Sequence, residues 1–242
     1  MAASAGLTAF HTVLIWNYRE LLEITNINGP AQSRDMLNVT SHDSDNGFKE
    51  YIAGPIDGGE VSVEGNLIVG DTYGQVAFHT DVQGGTKRAA FIVAPMAAAE
   101  AWSFNAFAKG FTPSHPHDAQ IGVSGSLIVT GKPTRLTTQS AGMSGLTGIE
   151  ENAGAGLSIS PAIAVGTYAY TCTVNTASTW VKLTPVAGSH TIYVQGVAVA
   201  TGVQSGEIAL GAAGTDTVVI VIAYESAKSP RIYRLTVTRP AA

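Results

Sequence analysis

Period two runs through this 242-residue chain almost from end to end. Residues 60–68 (EVSVEGNLI) set Val61, Val63 and Leu67 on one side and Glu60, Ser62, Glu64 and Asn66 on the other. That alternation belongs to a half-buried strand. Residues 101–111 repeat it, with Trp102, Phe104, Ala106 and Ala108 interleaved with Ser103, Asn105, Phe107 and Lys109. Shorter runs at 23–27, 35–40, 88–94 and 121–130 read the same way, and a turn cluster, Asn28-Gly29-Pro30, closes the first. Only residues 71–83 read as a helix. Asp71 is its expected N-cap, Gly84-Gly85 its end, and Val76, Ala77 and Thr80 its inward face. Gly74 weakens that helix. The composition agrees with strands: 22 Val, 25 Thr and 27 Gly, with charged residues at 13% against a usual figure of about 25%.

The second half has short strands at even spacing: 168–174, 180–185, 191–194, 206–210, 217–224 and 232–238. This pattern predicts an antiparallel, immunoglobulin-like β-sandwich. Residues 217–224 (TVVIVIAY) are nearly all apolar, as for a central strand buried on both faces. Between the halves, 135–156 is rich in Gly, Ser and Ala without a sustained period and reads as a flexible linker. The expected organisation is a first domain over 1–134, the linker over 135–156 and a sandwich over 157–242. The fold class is mostly β with one short helix. The first 149 residues hold 8 basic and 13 acidic side chains, the remainder 5 of each. An acidic first half argues against a basic nucleic-acid-binding face.

Motifs for chemistry are weak. The lone cysteine, Cys172, excludes an intramolecular disulfide and reads as a buried strand residue. His115 and His117 share a face if extended, but no cysteine or second histidine cluster completes a metal site. The piece from His42 to Gly47 resembles a calcium loop yet lacks its closing acid and flanking helices. Gly131-Lys132-Pro133-Thr134 lacks the glycine pattern of a phosphate loop. No Gly-x-Ser-x-Gly motif is present. The reading is a non-enzyme without cofactor or metal. No run reaches the roughly 18 apolar residues of a membrane span. The opening residues 1–17 lack the basic start of a signal peptide and read as a flexible lead into a first strand.

Residues 41–59 form a polar, glycine-rich segment longer than compact domains normally use as a connection. Its flanks join a specific ordered series. Glu23-Ile24, Ile27, Gly29-Pro30 and Ser33-Arg34-Asp35 come first. Val39-Thr40, Ser44, Asn46-Gly47-Phe48-Lys49-Glu50-Tyr51-Ile52-Ala53-Gly54 and Ile56-Asp57-Gly58-Gly59-Glu60-Val61-Ser62 follow. Trp102-Ser103-Phe104-Asn105-Ala106-Phe107, Gly110-Phe111 and Gly131-Lys132-Pro133 complete it. Over residues 15–135 the chain resembles the major tail tube proteins of long-tailed, lambda-like bacteriophages. It departs from their pattern at Ala53, where the family usually has Pro before the glycine. The second half resembles cadherin-like or bacterial immunoglobulin-like domains. The carriers are Leu157, Ser160-Pro161, Tyr168, Val174, Val181-x-Leu183-Thr184-Pro185, the IYVQG and GVQSG runs, and Tyr233-x-Leu235-x-Val237-x-Arg239.

The resemblance implies a structural virion protein. Six-subunit rings would stack into a hollow tube that passes double-stranded DNA. Its partners would be further copies of itself, the tail tip or baseplate, the tape measure and the tail terminator. It would be made in the bacterial host cytoplasm and reside in the virion tail. The loop 41–59 becomes an arm to a neighbouring ring, with Asp43, Asp45, Phe48, Lys49, Glu50, Tyr51, Ile52, Ile56 and Asp57 as contact residues. Glu23, Asp35, Glu60, Glu64 and Glu100 become candidate lumen or interface acids, since an acidic lumen repels DNA and keeps sliding contacts weak. The sandwich would be an outer appendage, dispensable for assembly. Trp180, Tyr168, Tyr170 and Tyr193 are its candidate stacking surfaces for host glycans. Two other readings remain: a tube subunit of a phage-like injection or secretion machine, and a two-domain glycan-binding adhesin.

Overall fold

The computed structural model describes residues 11–241 except 69, 95–99, 155–156, 158, 163, 165–166 and 189. The expected flexible start, up to residue 10, and the turn at 95–99 lie outside the described residues. The chain divides into two compact units. A core unit comprises Leu21–Phe91 and Trp102–Thr134, and a terminal unit comprises Met1–Glu20, Ile92–Ala101 and Arg135–Ala242. The division therefore departs from the expected 1–134 domain, because the described residues 11–20 cluster with the C-terminal part. Those residues carry strands β1 (Val13–Trp16) and β2 (Arg19–Glu20).

The core unit holds β3 (Ile24–Asn28), β4 (Ser33–Asn38), β5 (Tyr51–Asp57), β6 (Glu60–Asn66) and α1 (Gln75–Gly84). It also holds most of β7 (Lys87–Val93), β8 (Ala101–Ser114) and β9 (Gly122–Leu136). One sheet contains β7-β8-β9-β6-β3 in that order. The antiparallel register of β6 and β9 runs from Glu60↔Ile128 to Asn66↔Gly122. It places Val61, Val63, Val123 and Leu127 on a buried face and Glu60, Ser62, Glu64, Ser124, Ser126 and Ile128 on the other. The alternation of β8 holds as expected, with Phe104, Ala106 and Ala108 buried.

The helix α1 begins later than expected. Asp71 still accepts the backbone N–H groups of Gly74 and Gln75, each at 2.9 Å, from just outside it. Gly85 ends it in the left-handed conformation, with φ at 60°, as the glycine pair predicts. Its inward face is not Val76, Ala77 and Thr80 but Gln75, Phe78 and Asp81. Polar side chains turn inward because they have work there. Gln75 accepts the Ile68 N–H at 3.0 Å and donates to the carbonyls of Leu22 and Asn66 at 3.1 and 2.8 Å. Asp81 receives a bidentate pair of bonds from Arg88. Phe78 reaches the sheet at Gly125, where a Cβ would stand 3.1 Å from Val63 and 3.2 Å from Phe78.

The segment 41–59 is not all loop. Residues 51–57 are β5, which pairs antiparallel with β4 through Leu37↔Ile52 and Arg34↔Ile56 to form a separate two-stranded sheet. Within it the irregular part shrinks to residues 41–50 and 58–59, with one 3₁₀ turn at Asp45–Gly47. Gly54 and Pro55 break the alternation that would have revealed β5. A register shift between Arg34 and Met36 accommodates them, and Gly54 lets the backbone of Asp35 approach closely, as bulges and glycines do in hairpins.

The terminal unit contains β10 (Met143–Glu151), β11 (Ala169–Thr173), β12 (Trp180–Ala187), β13 (Thr191–Val194) and β14 (Val197–Val199). It continues with β15 (Ile208–Ala209), β16 (Thr215–Tyr224) and β17 (Arg231–Arg239). These form sheets β10-β12-β15 and β11-β17-β16-β13-β14. Ile149, Val181 and Leu183 from the first meet Val219, Val221 and Leu235 from the second in one core. One pair departs from the expected antiparallel pattern: β11 runs parallel to β17. Cys172 is buried, and burial pushes its thiol up to about 11.

The middle of the expected flexible linker, Met143–Glu151, is the strand β10. β10 pairs with β12 over Met143↔Ala187 to Glu151↔Val181, and Met143 and Ile149 enter the core. Two register shifts, beside Gly145 and Gly148, break its period and hide it from the sequence pattern. The preceding residues are also tied down. Thr138 O accepts from Ser229 N at 2.8 Å, and the Tyr233 hydroxyl accepts from Met143 N at 2.8 Å.

Candidate assembly interface

The hairpin β4–β5 carries its apolar side chains in solvent. Phe48 is 74% exposed, Ile56 58%, Ile52 52% and Tyr51 48%. Two further residues belong with them, Met36 at 57% and Leu37 at 50%. Leu37 faces Ile52 across the ladder, and Met36 faces Ala53. Adjacent residues of a strand point to opposite faces, so both faces of the hairpin are apolar and uncovered. An isolated two-stranded hairpin is marginal in water, and contiguous exposed apolar surface marks an interaction site. Sequence reasoning missed Met36 and Leu37. The available signal was their adjacency, which puts one apolar residue on each face.

The remaining arm residues are exposed and polar. Asp43 N–H donates to the Ser41 hydroxyl at 3.2 Å. Glu50 N–H donates to the Thr40 hydroxyl at 2.9 Å, and the Glu50 carbonyl accepts from Val39 N at 2.9 Å. Lys49 is exposed. Asp57 accepts the Gly59 N–H at 2.9 Å and so shapes the turn into β6. The side chain of Asp45 lies outside the described residues.

The five candidate acids do not form one patch. Glu60 pairs with Lys109 at 3.0 Å, and this ammonium holds its carboxyl below the ordinary value. Glu64 lies on the same outward row of β6 and accepts from the Asn26 amide at 3.4 Å. Glu23 accepts from the Asn66 amide at 3.1 Å. Asp35 sits in the bulge of the hairpin. Glu100 belongs to the terminal unit, where Arg135 bonds it at 2.7 and 3.1 Å and holds its carboxyl below the ordinary value. Sequence spacing placed Glu60 and Glu64 on one strand face correctly. The basic partners came from other strands and were not readable. Beside Glu64, the side chains of Ser62, Thr112, Ser124 and Ser126 line a shallow depression of about 230 Å³.

Among the described residues no three His, Cys, Asp or Glu side chains come together to hold a metal. His115 and His117 sit in an exposed turn, with His117 against Asp118. The four candidate sugar-stacking rings are occupied by the chain itself. Tyr170 is buried, Tyr168 packs 6.0 Å from Tyr233, and Tyr193 stacks on Tyr18 at 3.8 Å. Lys182 lies 4.5 Å above the Trp180 ring.

Residues 156–240 match the family model of a cadherin-like beta sandwich domain. The match takes in β11 to β17 and leaves out β10. By sequence, the chain has no match among curated proteins. Among solved structures it is similar to a chain of the virion of a native gene transfer agent particle, at 11% identity and a TM-score of 0.46. That similarity covers 54% of this chain and 98% of the other. It is also similar to a chain of an extracellular contractile injection system, at 14% identity and a TM-score of 0.45, covering 55% and 99%. A third is the SPP1 tail tube, at 14% identity and a TM-score of 0.42, covering 54% and 78%.

Proposed function

We propose that this chain is a structural tail tube subunit, assembling as stacked six-membered rings through which double-stranded DNA passes. The observation that carries the reading is the hairpin β4–β5, apolar and exposed on both faces. Such an element is stable only when inserted between two surfaces, and the ordered motif series over residues 15–135 makes further copies of this chain the occupant. Phe48, Tyr51, Ile52 and Ile56, with Met36 and Leu37, form its apolar contact. Asp43, Asp45, Lys49, Glu50 and Asp57 form its polar rim. The outward row of β6, with Glu60, Ser62 and Glu64 beside Ser124 and Ser126, suits a DNA-facing wall, because hydroxyls and carboxylates dominate it and its ammonium, Lys109, is neutralised by Glu60. The tail tip, tape measure and terminator are the further partners, and the phage tail is the location. The role is structural rather than catalytic.

Negative-stain electron microscopy over a concentration series tests the proposal. Rings or hollow tubes are expected, at higher concentration or on addition of tail-tip complexes. Particles that stay monomeric under both conditions would overturn it.

A further inference from the structure

The outer face of the five-stranded sheet of the sandwich is unusual. Val219, Val221 and Ala223 of β16 enter the sandwich core. Ile220 and Ile222 alternate with them and so face the other way, yet they are buried too. The β16–β17 register aligns Ile222 with Ile232 and Ile220 with Arg234. The β13–β16 register aligns Tyr193 with Ile222. Tyr193, Ile220, Ile222, Tyr224, Ile232 and Arg234 therefore share one surface. In an ordinary sandwich this surface is polar and faces water.

The hairpin β1–β2 covers it. Its two-residue turn, Asn17-Tyr18, has φ of 50° and 58°, the conformation of a type I′ turn. A tyrosine at positive φ is uncommon, and its ring repays the conformation by stacking on Tyr193, 5.7 Å from Tyr224. Burial pushes the Tyr18 phenol up to about 12, with help from a hydrogen bond to Tyr193. Glu20 is buried and bonds the Arg234 guanidinium with both oxygens. The turn after β13 has Gly196 against Arg19, where any Cβ would overlap the arginine. Strands β13, β16 and β17 and the turn at Gly196 thus meet Tyr18, Arg19 and Glu20 from the far end of the chain, all within the terminal unit.

We infer that the C-terminal module is a sandwich completed by the chain's own N-terminal hairpin. The outer sheet face is a built docking surface whose occupant is residues 13–20, and hairpin and sandwich open as one. The module is therefore an integral part of the chain rather than a detachable appendage bounded by residues 156–240.

Hydrogen exchange read by mass spectrometry on the full chain tests this. In the wild type, amides of residues 13–20 and 218–236 are expected to be protected to a similar degree. Gly196→Ala and Gly202→Ala form a matched pair. Both positions have positive φ, at 77° and 72°, but a Cβ at Gly202 has nothing within 4 Å. Gly196→Ala is expected to lower protection in both segments at least tenfold, with residues 60–66 and 122–130 unchanged, and Gly202→Ala to spare the hairpin. Three results would overturn the inference. They are free-peptide exchange of 13–20 in the wild type, loss of protection in the hairpin alone, and equal effects of the two variants. Should Gly196→Ala not fold, Arg234→Gln, which removes the guanidinium bonded to Glu20, is read in its place with the same expected and overturning results.

Discussion

Replacing Ile52 and Ile56 together by Thr separates assembly from folding. Both side chains are roughly half exposed in the single chain, at 52% and 58%. Full burial of an isoleucine is worth roughly 1.5–3 kcal/mol, so removing the remaining half from water contributes about 1 kcal/mol per residue. Threonine keeps the β-branched shape that suits a strand but adds a hydroxyl that an apolar contact leaves unpaired. The double variant is therefore expected to weaken subunit addition by about 2 kcal/mol, which is about a 30-fold rise in critical concentration. Its own fold should not change, since surface substitutions usually stay within about 0.5 kcal/mol. Sedimentation of polymer against total protein gives the critical concentration, and a thermal melt of dilute protein gives the stability. Val203→Thr, at an equally exposed valine of the sandwich, is the control and should leave both unchanged. Polymerisation of the double variant at the wild-type concentration would refute the hairpin as the contact. A clear fall in melting temperature would show that the two isoleucines serve their own subunit instead.

Three further outcomes follow from the packing. Gly125→Ala places a methyl within 3.1–3.2 Å of Val63 and Phe78 and should cost about 1–3 kcal/mol by overpacking, read as a lower midpoint of urea unfolding. Gln75→Leu leaves the Ile68 N–H and the Leu22 and Asn66 carbonyls without their partner. It should cost about 1–3 kcal/mol, and a neutral effect in the same urea titration would mean these groups find other partners. Cys172, with its thiol pushed up to about 11, should resist a thiol reagent at pH 8 in the native chain and react at once in denaturant. The raised value also fixes a sign. The unfolded thiol ionises near 9, so its contribution to stability is complete below that pH and falls as pH rises from there towards 11.

Elements whose apolar residues keep one period over seven or more positions were legible. β6, β8 and β16 are where the alternation or the apolar run placed them. What escaped the sequence was irregular. β10 carries two register shifts beside glycines, so Met143 and Ile149 reach the core without the even spacing that announces a strand. β5 contains Gly54 and Pro55 and pairs across a bulge, and read as loop. The inward face of α1 was misassigned because Gln75 and Asp81 point inward to satisfy backbone groups and Arg88, and a hydropathy pattern counts such residues as outward. The candidate interface was half legible. The apolar residues of the arm stood out against a polar segment, whereas Met36 and Leu37 needed the pairing of β4 with β5 to be recognised.

The described residues include two apolar surfaces that a single β-domain would not need, and they differ in what covers them. The outer face of β16 and β17 is covered by residues 13–20 of the same chain, with Glu20 and Arg234 matched in charge and Tyr18 matched in shape to Tyr193. The hairpin β4–β5 has no such match: its residues remain about half exposed or more on both faces. A truncation ending near Thr137 tests the contrast. It removes Arg234, Tyr193 and Tyr224 and bares the face of the hairpin β1–β2 that they cover, while leaving β4–β5 intact. Were the sandwich an independent appendage, the shortened chain would polymerise like the full one. The packing predicts instead that it aggregates irregularly, because newly exposed apolar surface competes with the ordered contact. Regular tubes from the shortened chain at the full-length critical concentration would show that the N-terminal hairpin holds its place without the sandwich.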